Sequence, residues 1–123
     1  MPELPEVETS VQAIQEFTNQ NIESIEIYNP NLRWKVDCKA FKKLCGLKVN
    51  KISRRAKYIL LHIDKSQILI HLGMTGTLRI AEKNSNFYKK HDHVEFIFQS
   101  GKLIFNDPRR FGSMHYITKP SSH

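Results

Sequence analysis

Apolar residues recur at helical spacing near the start of the chain. Val7, Val11 and Ile14 follow Pro5, which the first turn of a helix accepts because a proline's missing N–H would have no partner there. This pattern predicts one amphipathic helix that runs to about Phe17.

A second, shorter helix and a series of strands are predicted after it. Asp37 is a typical N-cap residue and Gly46 a typical helix stop, so a helix is expected to run between them to Cys45. The remaining segments are short runs of β-branched and aromatic residues. The predicted strands are 22–28, 47–52, 58–63, 68–72, 77–80, 93–98 and 102–105. Tight hairpin turns are predicted at 64–67 and 100–101.

Many short strands separated by turns are typical of a sandwich or a barrel. We predict a mainly β protein with flanking helices (α+β class), built as a two-layer antiparallel β-sandwich with an N-terminal α-helix and a second short helix. One domain is expected over residues 1–117, and residues 118–123 are interpreted as the start of an interdomain linker.

The composition is that of a soluble globular protein, with 40% hydrophobic and 25% charged residues in 123. No apolar run approaches the roughly 20 residues of a membrane span, and the N-terminus lacks the features of a signal peptide. Cys38 and Cys45 fit no zinc-ligand spacing, so they are interpreted as reduced thiols, with a disulfide as the alternative. We expect a cytoplasmic monomer with no membrane partner.

Charge is distributed unevenly along the chain, whose net charge is +7. Residues 1–32 contain acidic but no basic residues, whereas residues 33–57 are strongly basic. A basic block indicates a surface for a polyanion such as nucleic acid. The alternative is a solvated basic face that only aids solubility.

The first residues carry a candidate reactive pair. If Met1 is removed, Pro2 presents a secondary amine whose pKa near 8 leaves a neutral fraction at neutral pH. Such an amine forms a cationic iminium with a sugar carbon, and Glu3 is placed to act as a general acid. Alternatively, Pro2 only permits methionine removal and the acidic residues only favour the helix dipole.

Five motifs occur together in this chain. They are MPELPEVET at 1–9, RRAKY at 54–58, HLGMTG at 71–76, KHDHV at 90–94 and DPRRFG at 107–112. In this order they closely resemble formamidopyrimidine-DNA glycosylase, the bacterial repair enzyme also called Fpg or MutM, over essentially the whole chain.

The resemblance implies catalytic roles for residues near the N-terminus. It makes Pro2 the nucleophile, Glu3 the acid that helps to open the sugar, and Glu6 a supporting acidic residue. It makes Lys57 a residue that transfers protons and contacts phosphate, although a lysine at a strand end more often faces solvent.

Three further residues are expected to fill the void that a base leaves when it is extruded from the duplex. The resemblance assigns this role to Met74, Arg109 and Phe111, with Arg109 reading the orphaned base. Core packing for Met74 and Phe111 and a surface ion pair for Arg109 are the alternatives. All three positions match the Fpg branch, which implies oxidised purines opposite cytosine as substrates.

His71, His91 and Arg110 resemble residues that contact phosphate, although either histidine could instead be structural. The cluster at 91–93 raises the alternative of a metal site, which we do not predict because no third and fourth ligands have suitable spacing. The predicted partner is double-stranded damaged DNA.

The resemblance also implies a second domain, with a helix–two-turn–helix motif and a four-cysteine zinc finger, outside this chain. No cofactor is therefore expected here, and the location implied is the bacterial cytoplasm, at the nucleoid. The predicted function is base-excision repair: a glycosylase and abasic-site lyase. Alternatives are a non-catalytic module that binds damaged DNA and an inactive or misfolding-prone fragment.

Overall fold

The computed structural model describes residues 4–85 and 88–118. Two α-helices, α1 (Leu4–Ala13) and α2 (Cys38–Lys42), and a short 3₁₀ helix (Gln15–Phe17) accompany the strands within these ranges. The strands are β1 (Ser24–Ile27), β2 (Val49–Arg55), β3 (Tyr58–Ile63), β4 (Ser66–His71), β5 (Thr77–Ala81), β6 (Asp92–Ile97), β7 (Lys102–Asn106) and β8 (Ser113–Thr118).

The strands form two four-stranded antiparallel sheets, ordered β1-β6-β7-β5 and β2-β3-β4-β8. One apolar core contains side chains from both sheets, such as Phe96 and Phe105 from the first and Ile59 and Ile70 from the second. Val7 on α1 is buried in the same core. The predicted fold class, a mainly β two-layer sandwich with two flanking helices, is confirmed.

The helices are shorter than predicted. The first α-helix ends at Ala13, and the chain continues to Phe17 as a 3₁₀ turn. The Asp37 side chain caps α2 as predicted, since its Oδ1 accepts a hydrogen bond of 3.1 Å from the Ala40 amide. That helix ends at Lys42 rather than Cys45 because the following residues form turns that end at Gly46, whose φ is +90°.

Two strand predictions need correction. The strand predicted at 22–28 is only Ser24–Ile27, because the amide of Ile22 donates to the carbonyl of Leu47 outside the sheets. Strand β8 was not predicted at all; it pairs with β4 at the end of the second sheet. The residue proposed to begin a linker, Thr118, is the last residue of β8, and 119–123 lie outside the described residues.

Cys38 and Cys45 are not bonded to each other in the structure. Across 4–85 and 88–118, none of the helices has the length and apolar character needed to cross a bilayer.

Candidate nucleic-acid interface

Two connections cross between the sheets side by side. The first, at 72–76, joins β4 to β5, and the second, at 107–112, joins β7 to β8. They touch so closely that a Cβ at Gly73 would lie 2.6 Å from the amide nitrogen of Gly112. Gly73 also has a φ of +66°, which favours glycine. This packing brings two motifs that are far apart in sequence to one end of the sandwich.

A buried carboxylate holds the two crossovers together. Asp107 is fully buried, and its Oδ1 and Oδ2 accept hydrogen bonds from the Thr75 hydroxyl (2.5 Å) and the Gly112 amide (2.7 Å). The Thr75 hydroxyl oxygen also accepts from the amide of Arg109, at 3.2 Å. The tips of both crossovers are therefore fixed by interactions beneath the surface.

Met74, Arg109 and Phe111 meet above this buried network. Met74 and Phe111 are exposed by 53% and 43%, so the core-packing alternative does not describe them. The guanidinium carbon of Arg109 lies 4.7 Å from the centroid of the Phe111 ring, within cation–π range. Its Nη1 lies 4.0 Å from the Met74 sulfur. The structure thus presents a sulfur, a cation and a ring together at the surface. We refer to Met74, Arg109 and Phe111 as the wedge residues.

His71 ends β4 beside these crossovers. Its Nδ1 accepts a 3.1 Å hydrogen bond from the amide of Gly73, so the ring proton of the neutral form is on Nε2. Burial lowers the pKa of His71 below its ordinary value, and the charges of Lys57 and Arg33 lower this pKa further. Near neutral pH His71 is therefore mainly uncharged, with its ring proton on Nε2.

Lys57 occupies the turn between β2 and β3, where Ala56 adopts a positive φ of 53°. The lysine is half-buried, and its charge acts on the neighbouring His71. Tyr58, directly after it, contacts the His71 ring edge-on at 5.1 Å. The lysine and the histidine therefore belong to one end of the β3–β4 hairpin.

His91 and Arg110 lie next to the crossover at 107–112. The His91 carbonyl accepts from the Asp107 amide at 3.1 Å, and the Asp107 carbonyl accepts from the Arg110 amide at 3.3 Å. Both have positive φ values, of 72° and 58°. Arg110 is exposed and His91 half-buried, so both can reach a ligand on this surface.

The cluster at 91–93 already has protein partners. Asp92 forms a two-point ion pair with Arg79, at 3.0 and 2.8 Å, and the His93 Nε2 lies 2.7 Å from the Asp107 carbonyl. Within 4–85 and 88–118 no group of three or more potential ligands is positioned to hold a metal ion.

The remaining predicted residues lie near the N-terminus. Glu6 is exposed in the first turn of α1, and the neighbouring Glu8 ties this helix to β2 through an ion pair of 2.8 Å with Arg54. Pro2 and Glu3 lie outside the described residues.

Part of this surface was not predicted from the sequence. A cavity of about 570 Å³ opens beside the wedge residues, and its lining includes Arg33, Trp34, Tyr58 and His115, which were not selected. These residues come from three distant segments of the chain. Trp34 was the one available signal, because it is the single tryptophan and lies at the start of the basic block.

The chain is similar to known proteins over nearly its whole length. Residues 1–114 match the model of the formamidopyrimidine-DNA glycosylase N-terminal domain. The chain belongs to the formamidopyrimidine-DNA glycosylase family. The enzyme of that name from Hydrogenovibrio crunogenus is 47% identical over 122 residues, which cover 98% of this chain and 43% of the relative. The one from Haemophilus influenzae is 44% identical over 115 residues, or 92% and 42% of the two chains.

Solved structures of the family share the fold. Fpg (MutM) of Lactococcus lactis in complex with DNA containing Fapy-dG superimposes with a TM-score of 0.85 at 36% identity, covering 94% of this chain and 44% of that one. The Lactococcus lactis Fpg complex with abasic-site DNA gives 0.86 at 36% identity, covering 95% and 44%. This chain therefore spans less than half the length of the formamidopyrimidine-DNA glycosylases that it matches.

Proposed function

We propose that this chain is the nucleophile-bearing part of a base-excision repair enzyme that removes oxidised purines from double-stranded DNA and then cleaves the abasic site. The observation that carries the proposal is the convergence of Met74, Arg109 and Phe111 above the buried Asp107. A base can be attacked only after it leaves the stack, and an extruded base leaves a void for such a group to fill.

The proposed chemistry starts at the N-terminus, once Met1 has been removed. The Pro2 nitrogen bonds to C1′ of the deoxyribose, the glycosidic bond breaks, and the departing base takes up a proton. Glu3 protonates the ring oxygen, so that the ring opens and an iminium forms at C1′. Loss of a C2′ proton then breaks the C3′–O bond and releases the 3′ phosphate, and water hydrolyses the iminium to restore the amine.

The described residues support this scheme by holding DNA. The neutral His71 offers its Nε2 proton to a phosphate, and Lys57 beside it supplies a positive charge. Arg110 is exposed beside the wedge. These groups would position the DNA backbone on either side of the lesion, while the wedge residues occupy the space that the extruded base leaves in the base stack.

Borohydride trapping tests the proposal, because it reduces an iminium to a stable bond between protein and DNA. Two proteins are assayed: the 123-residue chain alone, and the same chain fused to the remaining C-terminal residues of the Hydrogenovibrio crunogenus relative. The intact mass of each protein must first show that Met1 is absent. We expect adducts with abasic DNA in the extended protein, and far weaker trapping by Pro2→Gly. Equal trapping when an extra N-terminal residue blocks Pro2 would refute the mechanism.

A second candidate is a non-catalytic module that binds damaged DNA. The observation that favours it is that Met74, Arg109 and Phe111 are placed together at the surface, where they can contact DNA without performing any chemistry. This candidate predicts binding that weakens steeply with salt and no trapped adduct in either the chain alone or its extended form.

A further inference from the structure

A well-anchored loop presents Trp34 to solvent. The loop at 30–36 is fixed by Leu32 and Val36, which are 8% and 1% exposed, whereas Trp34 between them is 57% exposed. The Val36 amide donates to the Pro30 carbonyl at 2.8 Å. Trp34 is part of a patch, because the exposed side chains of Tyr58, Met74 and Phe111 line the same cavity. A contiguous exposed apolar patch indicates a contact surface.

This loop is joined to the wedge residues. The amide of Arg33 donates to the carbonyl of Gly112 at 3.2 Å. Trp34 also lines the cavity of about 570 Å³ that Met74 and Phe111 line. A volume of this size is typical of a small-ligand site, and the cavity is continuous with the surface proposed to enter the DNA stack.

The lining of the cavity fits a nucleotide. The Arg33 guanidinium carbon lies 5.9 Å from the centroid of the Trp34 ring, and none of the residues that line the cavity is acidic. Aromatic faces stack nucleobases of any sequence, and an arginine beside them binds the phosphate. Two other exposed aromatic residues, Tyr28 and Tyr88, contact each other in a T-shaped arrangement with ring centroids 5.3 Å apart, so each ring already has an aromatic partner.

We propose that Trp34 and Arg33 form a nucleotide-binding site next to the wedge, in which a base of the bound DNA stacks on the indole and its phosphate meets the guanidinium. The identity of the ligand, DNA, rests on the proposed function. The site extends the proposed DNA-contacting surface onto the loop at 30–36. The site binds a nucleotide whose base the wedge residues have unstacked, because a base inside an intact duplex exposes no face to an aromatic side chain.

The single tryptophan makes the site directly observable. The 123-residue chain is titrated with a dye-labelled duplex carrying an abasic-site analogue, while dye anisotropy and indole emission are followed together. We expect the emission to be quenched in proportion to binding. Trp34→Ala should weaken affinity about fivefold or more, the equivalent of losing one stacked base, and Trp34→Phe should retain most of it. Tyr88→Ala, an equally exposed aromatic, is the matched control.

Arg33→Gln tests the proposed contact between the guanidinium and a phosphate. It should lower the slope of log affinity against log salt by about one phosphate contact, whereas Lys65→Gln, at the far turn of the β3–β4 hairpin, should leave that slope unchanged.

Several outcomes would overturn the site. Anisotropy that rises without quenching, or Trp34→Ala binding as tightly as the wild type, refutes the site and leaves the proposed function intact. Emission that depends on protein concentration without DNA means that a second copy covers the loop, and also refutes it. Absence of binding by both the 123-residue chain and the extended protein refutes both proposals. Quenching by DNA, with no borohydride adduct in the extended protein, refutes only the catalytic function.

Discussion

The Thr75 hydroxyl donates a 2.5 Å hydrogen bond to the buried carboxylate of Asp107, which joins two crossovers that lie 32 residues apart in sequence. Asp107 also contacts a third segment, because its backbone amide donates a hydrogen bond to the carbonyl of His91. Asp107 thus links its own crossover to the crossover at 72–76 and to the segment at His91, all of which carry residues predicted to contact DNA. One buried residue therefore holds together the segments that carry Met74, His91 and Arg109.

Thr75→Val should destabilise the protein. It leaves Oδ1 of the buried Asp107 without its hydroxyl partner, which costs about 1–3 kcal/mol of unfolding free energy. Thr75→Ser should retain most of the stability because it keeps the hydroxyl. Urea unfolding measures both, and Thr77→Val, at an exposed threonine on β5, should change the free energy by less than about 0.5 kcal/mol. Similar losses of unfolding free energy in Thr75→Val and Thr77→Val would show that the hydrogen bond between Thr75 and Asp107 does not stabilise the protein.

Gly73→Ala should be more harmful than Gly46→Ala, although both positions have positive φ. A Cβ at Gly73 would lie 2.6 Å from the Gly112 amide nitrogen, whereas a Cβ at Gly46 meets nothing within 4 Å. We expect a loss of about 2–4 kcal/mol at Gly73 and only the left-handed strain of about 1–2 kcal/mol at Gly46. Thermal and urea unfolding of the two variants give the comparison, and equal losses would argue against tight contact between the crossovers.

The stability of the chain should depend on the ionisation of Asp92 in acid. Burial alone would raise the pKa of this carboxyl, but hydrogen bonds from Arg79, Asn106 and the Lys89 amide outweigh burial and lower it. A lowered pKa in the folded state means that the ionised group adds stability above the ordinary value near 4, and that this stability is lost as the pH falls below it.

Asp92→Asn should therefore cost about 3 kcal/mol near neutral pH, because it leaves Arg79 without a charged partner. The difference between wild type and variant should shrink as the pH drops below about 4. Urea unfolding at a series of pH values measures this difference in unfolding free energy. A constant difference across the series would contradict this account, and Asp64→Asn in an exposed turn serves as the control.

His71 should titrate below its ordinary value near 6.5. Burial is the main cause of the lowered pKa, followed by the charge of Lys57. Lys57→Gln should therefore raise the pKa of His71, whereas Lys65→Gln at the opposite end of the hairpin should not. Titration of the imidazole proton resonances by NMR measures these shifts, and an unchanged His71 in Lys57→Gln would show that the two side chains do not interact.

Local patterns predicted most of the fold. The cap at Asp37 and the alternation in β3 are short-range features, so the sequence of a few residues is enough to identify them. Strand β8 was missed although Gly112 directly precedes it, because its residues, SMHYIT, do not alternate between apolar and polar. The burial of these residues does not alternate either, so a local pattern could not identify the strand.

The candidate site shows the same limit. The motifs at 71–76 and 107–112 were identified in the sequence, but their contact depends on two sheets packing together, which no local pattern encodes. The burial of Asp107 and the orientation of Trp34 likewise follow from tertiary packing. A sequence motif therefore predicted which residues matter, whereas the fold determined which of them meet.

Mapping the borohydride-trapped adduct tests the central claim most directly. Residues 2–32 contain no lysine or arginine, so trypsin releases the processed N-terminus as one peptide that ends at Arg33. The account predicts that mass spectrometry of the extended protein, trapped on abasic DNA, finds the reduced sugar on Pro2 in this peptide. An adduct found on Lys57 or any other lysine instead, with the Pro2 peptide unmodified, would contradict it.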